Sequence, residues 1–209
     1  MRLLILGATG LVGRHALDLA LADPRVDAVT ALVRRPLPGH PKLTAPQVDF
    51  DDLPADAPFW TADAVVCAIG TTMRTAGSRE AFRRVDHVYP MAVARRTRDA
   101  GARAFALNSA LGADAASRVF YSRVKGELER DLMTLNFPSL TFVRPGLIGG
   151  RRAENRPLER VASRVLGALG PALPRGWRIN PAPNIAAALI EAAVTGRTGV
   201  RVVTATELA

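Results

Sequence analysis

Short apolar runs recur along the chain, separated by stretches with helical spacing. Arg2–Leu6, Ala28–Val33, Ala64–Ile69, Ala104–Asn108 and Leu140–Val143 hold too few polar alternations to leave one side in water. Such runs predict strands buried on both faces. Gln47–Phe50 and Val200–Thr204 predict two further strands. Between them, helical periodicity predicts Leu11–Ala22, stopped near Asp23-Pro24, then Arg79–Ala100, closed by Gly101, and Ser117–Leu135. Pro90 falls inside the second of these and predicts a kink or a fresh start, because proline lacks an N–H and clashes with the preceding turn. Asn184 predicts a cap for a last helix, Ile185–Val194, ended by Gly196. Strands alternating with helices predict an α/β fold: a Rossmann-like doubly wound parallel sheet with helices on both faces.

The pattern weakens between Gly149 and Asn180, where Gly, Pro and Arg are frequent and only Leu158–Leu169 reads as a helix. The stretch from about 147 to 183 is expected to form a small substrate-side lobe, so residues 1–209 are expected to be a single domain. A chain of 209 residues can bury one sizeable core but not two.

The first strand runs into Gly7, Gly10 and Gly13 and then a helix. This arrangement presents backbone N–H groups and a positive helix end to a phosphate. The first glycine permits the turn, the second admits a pyrophosphate, and the third lets helix and strand pack closely. A dinucleotide site is expected there. An acid about 20 residues further on would hold a ribose 2′-hydroxyl; here the chain has Arg34 and Arg35. Guanidinium groups grip a 2′-phosphate with paired N–H bonds, so the expected cofactor is NADP(H). Ile69 ends the fourth predicted strand and Gly70 follows it, at the sheet edge where such ligands bind.

Tyr121 and Lys125 are four residues apart on a predicted helix and so share a face. An ammonium favours the phenolate and brings a tyrosine toward the working range of an acid/base group. Ser109, 12 residues before Tyr121, could orient the same substrate oxygen. The expected catalytic set is Ser109, Tyr121 and Lys125, acting in hydride transfer to or from a small carbonyl or alcohol. Glu127 and Glu129 read as solvated residues of the same helix.

Composition narrows the partners. The formal net charge is +9, yet the arginines are dispersed and only 5% of residues are aromatic. Dispersal without stacking platforms argues against a nucleic-acid surface. The partner expected is a small-molecule substrate, and the chain is expected to be a monomer or homodimer. The single cysteine, Cys67, excludes an internal disulfide framework. Leu3–Leu6 is too short for the apolar core of a signal peptide, and no apolar run is long enough to span a bilayer. A cytoplasmic location is expected on these grounds. His15, His40 and His87 lack metal-ligand spacing, so no metal is expected.

The segments GATGLVG (7–13), CAIGTT (67–72), RRVDHVYPMAVARRTRDAGAR (83–103), NSALGADAASRVFYSRVKGELE (108–129) and FVRPGLIGGRRAENRP (142–157) resemble an atypical short-chain dehydrogenase/reductase. More closely they resemble the Tat-interacting-protein-like branch of NADPH-binding oxidoreductases. The resemblance implies a Rossmann-like fold, NADPH, and cofactor contacts at Thr9, Gly10, Leu11, Val12, Arg34, Arg35, Ile69, Gly70, Tyr121, Lys125 and Ile148. It adds Arg156 as a further candidate. The chain departs from the wider pattern at Asp86, in the region where many such enzymes place an asparagine of the proton relay. Two alternatives stay open: a non-catalytic NADP(H)-binding regulator, and an epimerase or dehydratase that uses bound cofactor internally.

Overall fold

A computed structural model describes residues 1–149 and 179–209. In chain order the elements are β1 (Arg2–Leu6), α1 (Leu11–Ala22), β2 (Ala28–Leu32), β3 (Leu43–Thr44), β4 (Ala64–Cys67), α2 (Met73–Ala76), α3 (Arg79–Arg83), a π turn (Arg84–Val88), α4 (Tyr89–Asp99), β5 (Ala104–Asn108), α5 (Phe120–Met133), β6 (Ser139–Arg144), β7 (Ile148–Gly149), β8 (Asn180–Pro181), α6 (Ala182–Thr195) and β9 (Gly199–Thr204). Seven strands form one sheet in the order β3-β2-β1-β4-β5-β6-β9, and every pairing in it is parallel. This is the Rossmann-like sheet that the alternating pattern predicts.

Strand side chains alternate between two cores. Leu3, Ile5, Ala64 and Val66 pack with Val12, Ala16 and Leu17 of α1 and with Ile185, Ala186 and Leu189 of α6. Leu4, Leu6, Val65 and Cys67 pack on the other face with Met91 and Val93 of α4 and Leu128 and Leu132 of α5. Chain order reverses between β1 and β4: from β1 the chain moves out to β2 and β3, then returns to β4 on the opposite side. In open parallel sheets such a reversal marks where ligands bind, outside the strands' C-terminal ends.

Three expected elements are corrected. The third strand is Leu43–Thr44, not Gln47–Phe50; Gln47 makes only an isolated bridge to Val33. Pro46 interrupts the ladder because it has no N–H to donate, although its carbonyl still accepts from Val33 at 3.1 Å. The helix expected over 79–100 is broken by the π turn, in which Tyr89 N–H reaches back to Arg84 O. Pro90 cannot donate to Asp86 O, and the wider turn carries the chain across that missing bond. The last helix begins at Ala182, and Asn184 does not cap it; its Nδ2 donates to Leu208 O at 3.1 Å.

Most of the expected lobe, with the helix expected at 158–169, lies outside the described residues. Its two ends meet, since Ile148 and Gly149 pair in parallel with Asn180 and Pro181.

Candidate functional site

The glycine turn is built as its spacing predicts. Gly7 has φ +78°, and a Cβ there would stand 2.6 Å from both Ala68 C and Ile69 N. A side chain at this position would be strained and would push the β1 and β4 loops apart. A Cβ on Gly13 would lie 1.9 Å from Gly7 O, so only glycine lets α1 seat on the turn. A Cβ on Gly10 would meet only Gly7 O, at 3.2 Å, and would otherwise fill the mouth of the turn. Gly10 caps α1 without a side-chain bond, and no acid stands in the first turn. The first N–H groups of the helix and its positive end are thus left for an anion. This cradle fits a dinucleotide pyrophosphate. Thr9 is exposed, Leu11 is half-buried, and the Val12 side chain belongs to the core.

Arg34 and Arg35 follow β2, whose Leu32 pairs in register with Leu6 just before the turn. Both are exposed, and neither pairs with an acid among the described residues. Ile69 and Gly70 lie where expected, in the loop leaving β4. Ile148 sits half-buried in β7, beside the loop that leaves β6. Arg156 lies outside the described residues.

Two of the residues expected to react, Tyr121 and Lys125, lie on α5. Tyr121 is its second residue, 39% exposed, with its ring 5.7 Å from that of Phe82. Lys125, one turn further in, is only 4% exposed. Its Nζ lies 2.8 Å from Oδ1 of Asp86, which is 1% exposed in the π turn. Asp86 Oδ2 accepts the Thr71 N–H at 2.8 Å. A Cβ on Gly70 would stand 3.3 Å from Asp86 Oδ1 and 3.7 Å from Lys125 Nζ. Gly70 therefore brings the β4 loop directly against the ion pair. Burial opposes the Lys125 charge, but attraction to Asp86, and then to Tyr121, outweighs it and holds the ammonium above its ordinary value. The sequence singles out Asp86 by position only; its pairing with a residue 39 positions away carries no local signal.

Ser109 is placed differently from the sequence expectation. It is 4% exposed, and its Oγ donates to Glu129 Oε1 at 2.5 Å. Arg144 Nε donates to the same oxygen at 3.0 Å, and Arg144 Nη2 closes on Glu129 Oε2. The Ser109 proton is therefore committed to a carboxylate and is not free for a substrate oxygen. Glu129, expected to be solvated, is 3% exposed. It lies four residues after Lys125 on the face that α5 turns toward the ends of β5 and β6, so burial follows from that spacing. Glu127 pairs with Arg83 at 2.5 Å.

Gly126 also escaped the sequence reading. A Cβ there would lie 2.2 Å from Ala115 N and Asp114 C, so glycine lets the loop after β5 lie on α5. A surface depression of about 550 Å³ is lined by Ala57, Trp60, Arg96 and Asp99. It lies at the opposite, N-terminal edge of the sheet, where Arg96 stacks on Trp60 and donates to Leu53 O. None of the groups described above borders it, so it is a packing feature rather than the reactive site.

Comparison with known proteins agrees with this geometry. The sequence profile of the NAD(P)H-binding family matches residues 7–158. The chain is 36% identical over 186 residues to "Protein fmp52, mitochondrial" of Emericella nidulans, covering 83% of this chain and 79% of that one. Among solved structures, MoeE5 in complex with UDP-glucose and NAD superposes with a TM-score of 0.73 at 18% identity, over 97% of this chain and 75% of that one. An oxidoreductase of the short-chain dehydrogenase/reductase family from Burkholderia thailandensis gives 0.67 at 19% identity, over 99% and 92%. Human epimerase family protein SDR39U1 with NADPH gives 0.65 at 18% identity, over 100% and 76%. The chain belongs to the NAD(P)H-binding family, and its fold is the one seen in these short-chain dehydrogenase/reductase and epimerase structures.

The relatives correct the expected cytoplasmic location, because those at 30–36% identity are named mitochondrial proteins. Cys67 misled here. Burial pushes its thiol up to about 12, so it stays protonated and inert whatever the compartment. No helix among the described residues is long and apolar enough to cross a membrane.

Proposed function

We propose that this member of the NAD(P)H-binding family is an NADP(H)-dependent oxidoreductase acting on a small carbonyl or alcohol, with Tyr121 as its acid/base group. The observation that carries this reading is the burial of Lys125 beneath Gly70. A lysine is rarely buried without a partner that keeps it charged. Here the charge is held at the sheet edge, one helical turn below an exposed tyrosine hydroxyl, beside the loop that leaves β4. When bound, the nicotinamide supplies or takes the hydride.

The chain's residues do the rest. Tyr121 hands its proton to the substrate oxygen during reduction and recovers it during oxidation. Lys125 is ion-paired with Asp86 and brings N–H donors to the edge where ribose hydroxyls would lie. Arg34 and Arg35 pair with no acid among the described residues, follow the strand beside the glycine turn, and suit a 2′-phosphate better than a 2′-hydroxyl. Thr9, Leu11 and Val12 offer backbone N–H groups to the pyrophosphate, while Gly10, whose N–H closes the turn on Gly7 O at 2.9 Å, leaves it room. Ser109 acts through Glu129, bracing the loop after β5, rather than on the substrate. That commitment also favours a second reading, a protein that binds NADP(H) without turnover, because it removes a hydroxyl expected to orient the substrate.

One experiment separates the two readings. Thermal shifts with NADP and NAD are measured on the wild type and on Arg34→Ala/Arg35→Ala, and NADPH oxidation is followed against a panel of aldehydes and ketones with wild type and Tyr121→Phe. The oxidoreductase reading expects a larger shift with NADP, lost in the arginine variant, and turnover reduced at least about 100-fold in Tyr121→Phe. Equal shifts for the two nucleotides would remove the NADP preference. Turnover unchanged in Tyr121→Phe would remove the catalytic role.

A further inference from the structure

We infer that Asp86 is a positioning residue of this site: it holds the Lys125 ammonium in place and sets how strongly that ammonium acts on the Tyr121 hydroxyl. The inference rests on reading Tyr121 as the acid/base group, and it goes beyond that reading by assigning control of the tyrosine to a residue on another element.

The geometry requires a carboxylate. Each oxygen of Asp86 has its own partner: Oδ1 is ion-paired with Lys125 Nζ at 2.8 Å, and Oδ2 accepts the Thr71 N–H at 2.8 Å. An asparagine could supply only one acceptor and would turn an N–H₂ toward one of these donors. The residue is also over-determined by the fold. It sits in the π turn that Pro90 demands, and π turns set single side chains off the regular helical register. From there it ties three elements together: the turn itself, the β4 loop at Thr71, and α5 at Lys125.

The electrostatic consequence follows from the pairing. An isolated ammonium one turn from Tyr121 would favour the phenolate strongly. An ammonium in contact with a carboxylate acts as a dipole, whose influence falls off faster with distance than that of a free charge. Other charged or titratable groups near this face of α5 are already engaged. Cys67 of β4 stays a neutral thiol. Arg83 of α3 pairs with Glu127, and His87 of the π turn pairs with Asp131 at 2.8 Å. Glu129 is bound by Arg144 and Ser109. Arg79 of α3 and Arg123 of α5 stack on Phe120, with guanidinium carbons 5.3 and 5.8 Å from the ring centre. Among the described residues, Asp86 is therefore the anion that sets the effective charge of Lys125.

The test uses a favourable accident of composition, since the chain has only two tyrosines, Tyr89 and Tyr121. Ring-carbon-labelled tyrosine is followed by NMR as pH rises, in the full chain without ligand, and Tyr121→Phe assigns the two signals. Asp86→Asn is expected to move the Tyr121 titration down by about one pH unit, because it frees the ammonium to favour the phenolate. Tyr89, whose hydroxyl burial and Asp51 hold above its ordinary value, is expected to stay put. An unmoved Tyr121 signal in folded Asp86→Asn would overturn the inference.

If Asp86→Asn does not fold, Lys125→Met/Asp86→Leu removes both charges and keeps the pocket filled. With the pair acting as a dipole, Tyr121 in that variant titrates within about half a unit of wild type. A titration well above wild type would mean that Lys125 acts undamped, which also overturns the inference. The readout needs no substrate. A shifted Tyr121 with no NADPH-linked turnover would support the coupling while removing the oxidoreductase reading.

Discussion

Lys125 and Glu129 lie four residues apart on α5, both buried and both paired, yet they do different work. Lys125 meets Asp86 from the π turn, next to Gly70. Glu129 meets Ser109 at the end of β5 and Arg144 at the end of β6. The first pair lies against the loop that leaves β4, at the edge where we propose that the cofactor binds. The second has its hydrogen bonds closed within the protein, and it joins two strand ends to the helix that carries the reactive face. Charge burial alone therefore does not mark a catalytic group; what matters is where the pair lies.

The contrast can be broken most forcefully at Glu129. Glu129→Leu leaves Arg144 and Ser109 without their acceptor, and removing one partner of a buried pair costs about 3 kcal/mol or more. Urea unfolding should show that loss, while the thermal shift given by NADP to the folded variant stays close to wild type. A variant that kept its stability but lost the NADP shift would place Glu129 in the ligand site and collapse the distinction.

Ser109→Ala makes a sharper cut. Losing one hydrogen bond to a charged group costs about 1.5–3 kcal/mol of stability. If the hydroxyl only braces Glu129, kcat for any NADPH-linked carbonyl reduction changes by no more than about threefold, well short of the 100-fold typical of a lost proton-transfer partner. A 100-fold fall in kcat with stability intact would restore the substrate-orienting role expected from the sequence.

The smallest effect belongs to a surface control, the pair of half-buried Asp23 with exposed Arg25 at the end of α1. The Arg25 guanidinium, hydrogen-bonded to Asp23, holds that carboxyl down at about 2. Because the folded-state value lies below the unfolded one, the stabilisation is complete above about pH 4 and is lost as pH falls toward 2. Asp23→Asn should melt slightly below wild type at pH 7, and the gap should close by pH 2. A gap as large as that of Glu129→Leu would show that exposure does not weaken these pairs as expected.

Local signals made the frame legible. Apolar runs marked β1, β4, β5 and β6, because strands covered on both faces have nowhere to put polar residues. Gly7, Gly10 and Gly13 marked the turn; at Gly7 and Gly13 backbone conformation and close contact admit no side chain. Tyr121 and Lys125 were legible as a shared helical face. The third strand slipped because Pro46 breaks a ladder whose partner is remote in sequence. The π turn was only half visible: Pro90 announced an interruption but not its form. Ser109 and Glu129 were misjudged because a serine and a glutamate 20 residues apart carry no mark of facing each other.

The chain's own pattern determined which segments become strands and helices, where the turn must be glycine, and which face of α5 carries Tyr121 and Lys125. These are consequences of period, proline and Cβ sterics, each written within a few residues. Only the tertiary structure decided that Asp86 claims Lys125 and that Glu129 claims Ser109. Those choices depend on which side chains the crossing of the π turn, α5 and the strand ends brings within 3 Å, and a buried charge takes the partner that the packing places beside it.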